Sequence, residues 1–298
     1  MSWEWELSRL SLALLAGVVL SHTGSLIQLT TRNEMASPST MGMDGLAVAI
    51  VLANYAIQRF YPAWPLEVMG LVAIAVVALL LWFWPEKWLP LKGGRGQDFR
   101  FILLLGLSLN LLVGALFAIM QFLAMAFNQE FPDQLWFGRI GQATMLQMIS
   151  GLIIIFGLVS LGMRRRRLWK ALLLGSGFCH GHQIPVKQMA KEALWVAFIG
   201  NLWVITQFGA FSFLGLLFPL LLRQLSRYHG EPWRELTEGA FVCGAVFAML
   251  DHVCYNFTFH GAEIPVGLPA SLAGAAGLVF LLWQRFNALP GRLLGKDA

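Results

Sequence analysis

The chain has 298 residues, 57% hydrophobic and only 12% charged, with 21 Lys+Arg against 16 Asp+Glu for a formal net charge of +5. A soluble domain carries about a quarter charged residues, so this composition excludes an ordinary water-soluble fold and makes lipid the solvent. The positive charge is scattered in short clusters along the chain, which excludes the single basic face of a nucleic-acid binder.

In chain order the apolar runs predict nine membrane segments, near 10–29, 43–58, 65–84, 101–127, 143–163, 190–208, 211–223, 239–257 and 265–284. Backbone amides in lipid must be satisfied within a segment, so these runs read as helices, giving an all-α polytopic bundle. About 20 residues at 1.5 Å each cross a bilayer. The first segment is rich in small residues and holds His22. A short polar connection, Thr31-Arg32-Asn33-Glu34-Met35-Ala36-Ser37-Pro38, then returns the chain to the membrane at Met41-Gly42-Met43-Asp44-Gly45. The fourth segment carries Asn110 and Gln121, and the fifth ends in Arg164 to Arg167, a run suited to anionic lipid headgroups. The seventh is too short to span and reads as a half-helix packed inside the bundle. In the last, Ala270 with Gly274 and Ala273 with Gly277 give a small-residue seam for close helix approach, as do Gly17 and Ser21 in the first. One membrane domain, 1–298, is expected, with no removable signal peptide.

Charge placement orients these helices. With the amino terminus outside and the helices alternating, eighteen of the 21 Lys+Arg fall on the inner side, and only Arg9, Arg59 and Arg139 remain outside. That asymmetry is the positive-inside rule.

Motifs for covalent chemistry are sparse. Gly93-Gly94-Arg95-Gly96 lacks P-loop spacing, Gly175-Ser176-Gly177 fails the dinucleotide spacing, and no HExxH occurs. Cys179, Cys243 and Cys254 form neither a disulfide framework nor a CxxC site. His180-Gly181-His182 offers at most two imidazoles, so a solvated loop is expected there and not a metal site. His22 lies mid-membrane, where a polar group lines a path or bonds a neighbouring helix. Asp251-His252 reads as an internally satisfied pair, with a proton relay as the alternative. No cofactor is implied.

Several separated stretches share one resemblance. Gly17, Gly24, Gln28, Arg32-Asn33, Ala36, Pro38, Gly42 and Gly45 fall where the FecCD family, the permease subunits of bacterial importers for ferric siderophores, haem and cobalamin, has them. The stretch from Gly209 to Pro219, with Arg223, resembles that family's G-x-I-G-F-V-G-L-V-V-P-H-x-x-R. Glu263-Ile264-Pro265-Val266-Gly267 followed by Ala273-Gly274-Ala275 resembles its closing E-L-P-V-G and final helix. Leu174-Gly175 and Pro185-Val186 match its cytoplasmic segment in length. The departures are Ser176 for the family's acid, His182-Gln183 for its Leu-Gly, and Leu220 for its His. The chain also starts at the family's second helix, so that the first is missing.

The resemblance implies a bacterial inner-membrane, multi-pass permease working with a second permease, two cytoplasmic ATPases and a periplasmic binding protein. The departures favour a heterodimer. ATPase coupling is then expected at Gly175, Ser176, His180, Gly181, His182, Gln183 and Pro185, and binding-protein docking at Arg9. Its usual companion is replaced by Glu6, and a second docking Arg by Asn256. The path would run between two permeases, walled by 101–127 and 265–284, with His22, Asn110 and Gln121 among few polar groups. A ferric siderophore is the expected cargo, and the subunit itself is no enzyme. The rival readings are a proton-coupled secondary transporter using Asp251, His252 and His22, and an intramembrane metalloenzyme.

Overall fold

A computed structural model describes residues 3–60, 72, 97–127, 137–174, 176–211, 213–225, 230–259 and 262–288. The described chain is nearly all helix: α1 (Trp3–Thr31), α2 (Met43–Phe60), α3 (Gln97–Ala126), α4 (Met145–Arg164), α5 (Arg166–Leu173), α6 (Ser176–Gly181), α7 (Val186–Phe208), α8 (Leu214–Gln224), α9 (Pro232–Asn256) and α10 (Gly267–Ala288). Between α9 and α10 the all-α expectation meets one exception, a hairpin of two-residue strands pairing Thr258 with Glu263 and Phe259 with Ala262. Each expected segment coincides with a helix except 65–84, which lies outside the described residues apart from residue 72. By length and composition, α1, α3 (from Gly106), α4 and α9 can each cross a membrane.

α1 is the axle of the bundle. Every residue from Leu15 to Thr31 is buried, against α9, α7, α8 and α4. A helix apolar on all faces has no preferred surface side, and the small residues Gly17 and Gly24 let neighbours close on it. A Cβ at Gly17 would lie 2.7 Å from the Cβ of Phe247 and 2.9 Å from the Cα of Gly244.

α8 is the expected half-helix, eleven residues long and mostly buried. It starts after a break at Gly209 (φ 86°) and Phe213 (φ 67°). Pro219 sits inside it. Proline has no N–H to give the carbonyl four residues back, and that carbonyl is Gly215 O. Gly24 packs on this oxygen so closely that any Cβ would overlap it.

α4 opens with a capping box that fixes its start. Thr144 N donates to Gln147 Oε1 at 3.0 Å and Gln147 N to Thr144 Oγ1 at 3.2 Å, the reciprocal pairing that a Thr-x-x-Gln sequence permits. α9 begins with a π-helical turn, Glu235–Gly239. α3 stands at the margin, packed mainly on α2. Leu104, Leu111, Phe122 and Met125 on it are exposed, as are Ile153 and Phe156 on α4 and Leu272 and Val279 on α10. An apolar surface of this extent is covered by lipid or by another protein.

Candidate functional site

Three sites concentrate the polar groups. The first lies at the amino-terminal end of α1. Arg9 Nε donates to Asp251 Oδ2 at 2.8 Å and Nη2 to Oδ1 at 3.1 Å. This two-pronged bond is the geometry in which guanidinium matches carboxylate best. Arg9 is 4% exposed and Asp251 0%. The guanidinium carbon also stands 4.4 Å from the centre of the Tyr255 ring, a cation–π contact. Glu263 lies 3.6 Å from Arg9 and 2.7 Å from the half-exposed Arg139, so one hairpin carboxylate links a buried cation to a surface one. Arg9 was expected to offer its charge outward, and the structure instead turns it inward. A carboxylate on a membrane helix demands a partner, and Arg9 is that partner. Asp251 is therefore satisfied, as the plainer reading had it. His252 Nε2 faces the Asn256 amide at 3.1 Å.

The second site is the seam where α1 turns back into α2. Asn110 of α3 accepts the Gly45 N–H at 2.8 Å and donates to Ser39 O at 2.5 Å. Gly42, at φ 79°, packs directly on Gly106. Gln28 Nε2 donates to Leu216 O at 3.2 Å, one turn of α1 beyond the Gly24–Gly215 contact, and Pro38 Cδ would lie 3.2 Å from a Cβ on Gly215. Gly24, Gln28, Pro38 and Gly215 were read from two stretches nearly 180 positions apart, and they meet at one seam. Two buried polar groups here escaped sequence reasoning: Asn201 Nδ2 donates to Asp44 Oδ1 at 2.8 Å, joining α7 to α2. The available signal was Asp44 itself, a lone acid in an otherwise apolar return segment.

The third site is the basic end. α6, the turn at His182-Gln183 and Pro185 stand outward, with Gly181, His182, Gln183 and Pro185 all exposed. His182 stacks on Phe178 with ring centres 4.1 Å apart, and its Nδ1 meets Phe178 O at 3.1 Å. Gln183 holds φ 51°, a left-handed backbone that costs an L-residue about 1–2 kcal/mol; it occupies the position where the resembling segment has Gly. Gly175 lies outside the described residues, and of Ser176 and His180 only their place in α6 is described. The inner side of α6 is anchored by Cys179, which joins Trp169 and Leu172 of α5, Leu26 and Leu29 of α1, Met189 of α7 and Leu236 of α9 in one buried cluster. Arg223 makes a second two-pronged bond, at 2.9 and 2.8 Å, with buried Glu235 in the π-turn. Lys170 donates to Glu231 at 2.8 Å and holds that carboxyl below its ordinary range.

The three residues expected along a path are not gathered. His22 is fully buried on α1, and its Nδ1 bonds the carbonyl of Leu236 in the π-turn. A carbonyl only accepts, so Nδ1 carries the proton. Within this chain His22 makes a helix-to-helix bond, and residues 15–31 of α1 around it are buried. Asn110 and Gln121 lie on α3, at the margin of the bundle, both half-buried. Leu236 and Asp251 are separated along α9 by about 22 Å at 1.5 Å per residue, so His22 and Asp251 do not share a proton relay. Among the described residues no three His, Cys, Asp or Glu side chains converge as a metal site.

Comparison with known proteins decides the family. A family model described as the FecCD transport family matches residues 1–284. The chain belongs to the FecCD transport family. Among its relatives are the hemin transport system permease protein HmuU of Yersinia pestis, 26% identical with 94% of this chain and 82% of that protein covered. The iron(3+)-hydroxamate import system permease protein FhuG of Bacillus subtilis is 27% identical, with 95% and 83% covered. The vitamin B12 import system permease protein BtuC of Salmonella typhimurium is 23% identical, with 94% and 82% covered. A solved structure described as a metal-chelate type ABC transporter in an inward-facing conformation superposes with a TM-score of 0.68 at 18% identity, covering 93% of this chain and 86% of that one. The fold is thus that of an ABC transporter permease, and this FecCD member is a multi-pass membrane protein whose relatives are transport subunits and not enzymes.

Proposed function

We propose that this FecCD member is the permease subunit of an ATP-driven importer in a bacterial inner membrane, with a ferric siderophore as cargo and haem or cobalamin as the nearest alternatives. The observation that carries the reading is the family match along residues 1–284, among permease relatives named for hemin transport and for iron(3+)-hydroxamate and vitamin B12 import. ATP is hydrolysed on separate subunits, and a binding protein delivers the cargo from the periplasm. A second permease, different from this one, completes the path, because the coupling segment departs from the family pattern at Ser176, His182 and Gln183.

The geometry supports a mechanical role for α6. Its outward turn is free for an ATPase groove, and its inner side presses through Cys179 on α5, α1 and the π-turn. A displacement of α6 therefore reaches the central helix as a rigid-body tilt, the route by which packed helices transmit motion. At the opposite end Arg9 acts by positioning: tied to Asp251, it fixes the ends of α1 and α9 on which a binding protein would dock.

Proteoliposomes holding the permease pair and ATPase, with binding protein and iron-labelled siderophore outside and ATP inside, test the reading. Uptake is expected only with ATP. Uptake driven by a proton gradient without the ATPase would overturn it in favour of a secondary transporter. Within the same assay, Gly181→Asp with His182→Asp is expected to abolish ATPase co-purification or uptake while membrane insertion is unchanged.

A further inference from the structure

Five consecutive-turn cations lie where α4 passes into α5: Arg164, Arg165, Arg166, Arg167 and Lys170. Two are neutralised inside the chain. Arg165 Nη2 meets Glu192 at 2.8 Å and Lys170 Nζ meets Glu231 at 2.8 Å. Arg164, Arg166 and Arg167 are exposed and have no acidic partner among the described residues. Three uncompensated guanidinium groups remain on one short stretch.

Their setting says what they meet. α4 carries an exposed apolar face through Ile149, Ile153, Phe156 and Met163. Met163 and Arg164 fall seven and eight residues after Phe156, on that same face of the helix. The chain then bends at Arg165 (φ −106°, ψ 19°). α5 lies beyond the bend with Trp169 and Leu172 buried beneath it. An apolar face that ends in a charged cluster, followed by a helix pinned flat by its apolar side, matches a lipid molecule: acyl chain along α4, phosphate at the arginines. Guanidinium binds phosphate through paired N–H donors, and basic clusters at a membrane edge attract anionic headgroups.

We infer that Arg164, Arg166 and Arg167, at the junction of α4 and α5, form a binding site for one anionic phospholipid, with its headgroup phosphate on the guanidinium groups and its acyl chain on the exposed face of α4. The inference needs only a membrane-spanning chain and is independent of the transport reading.

The test uses the full chain, purified in detergent with the subunits that accompany it, and titrated with phosphatidylglycerol, phosphatidylcholine or inorganic phosphate. Bound lipid is counted by native mass spectrometry and the melting midpoint is followed. Phosphatidylglycerol is expected to bind and raise the midpoint, and the other two to do neither. Arg167→Gln should weaken the binding about fivefold, from roughly 1 kcal/mol per basic residue near a charged lipid surface, and the triple Arg164→Gln, Arg166→Gln, Arg167→Gln should abolish it. Arg139→Gln, at the opposite end of the bundle, should leave it intact. Equal binding of phosphatidylcholine, an equal shift from inorganic phosphate alone, or undiminished binding in Arg167→Gln would each overturn the site. So would a triple variant that keeps its lipid and loses its ATPase, which would make the arginines a protein contact.

Discussion

Replacing Arg9 by Met would leave Asp251 as a fully buried carboxylate with a second acid, Glu263, nearby and no cation bonded to it. At the observed separation of about 3 Å, with an effective dielectric of about 20, the lost pair attraction is roughly 5 kcal/mol. Part of this is offset because Arg9 no longer needs to be desolvated, so the expected net loss is about 3–5 kcal/mol. Asp251→Leu should cost a similar amount, since it strands the guanidinium against Tyr255. The double variant removes both charges and fills the space with apolar atoms, and buried pairs replaced in this way are often neutral in stability. It should therefore lie within about 2 kcal/mol of the natural protein. Denaturant unfolding of all four proteins in detergent gives the coupling energy directly. If the two single losses simply add in the double variant, the pair is not the unit that holds α1 to α9. Binding-protein affinity of the double variant separates two roles for Arg9. It should be close to natural if Arg9 only positions the helix ends, and reduced if the guanidinium is itself a docking contact.

Gly24→Ala would drive a methyl into the carbonyl of Gly215, and overpacking of this kind costs about 1–3 kcal/mol; Gly157→Ala, which meets open space, should be neutral or slightly stabilising in the same melting assay. Asn110→Ala removes two hydrogen bonds and orphans the Gly45 N–H, for a loss of about 1–3 kcal/mol, while Asn110→Asp keeps the acceptor but sets an oxygen against Ser39 O where the donor stood, and should cost at least as much. Gln183→Gly relieves a left-handed residue of about 1–2 kcal/mol and adds about 0.5–1 kcal/mol of unfolded-chain freedom, so a net gain near 0.5 kcal/mol is expected; a lower melting midpoint in that variant would contradict the strain assigned to φ 51°.

The segments of the bundle were legible because lipid imposes a simple rule: an uncharged run of sufficient length becomes a helix, since its backbone has no other partner. The half-helix expected at 211–223 was legible for the same reason, being too short to span, and it forms at Leu214–Gln224. The family could be read because Gly24, Pro38, Gly215 and Pro219 keep their spacing. What joins them could not. Periodicity along a chain records which residues share a helix face, whereas Gly24 meets Gly215, and Asp44 meets Asn201, across helices whose mutual rotation is set by the packing of the whole bundle. Arg9 shows the same limit from the other side. Read as a charge near a helix end, it belongs at the surface. Only the fold brings Asp251, 242 positions later, to within 2.8 Å and turns the arginine inward, because an ionised carboxylate in a low-dielectric interior is tolerable only with a cation against it.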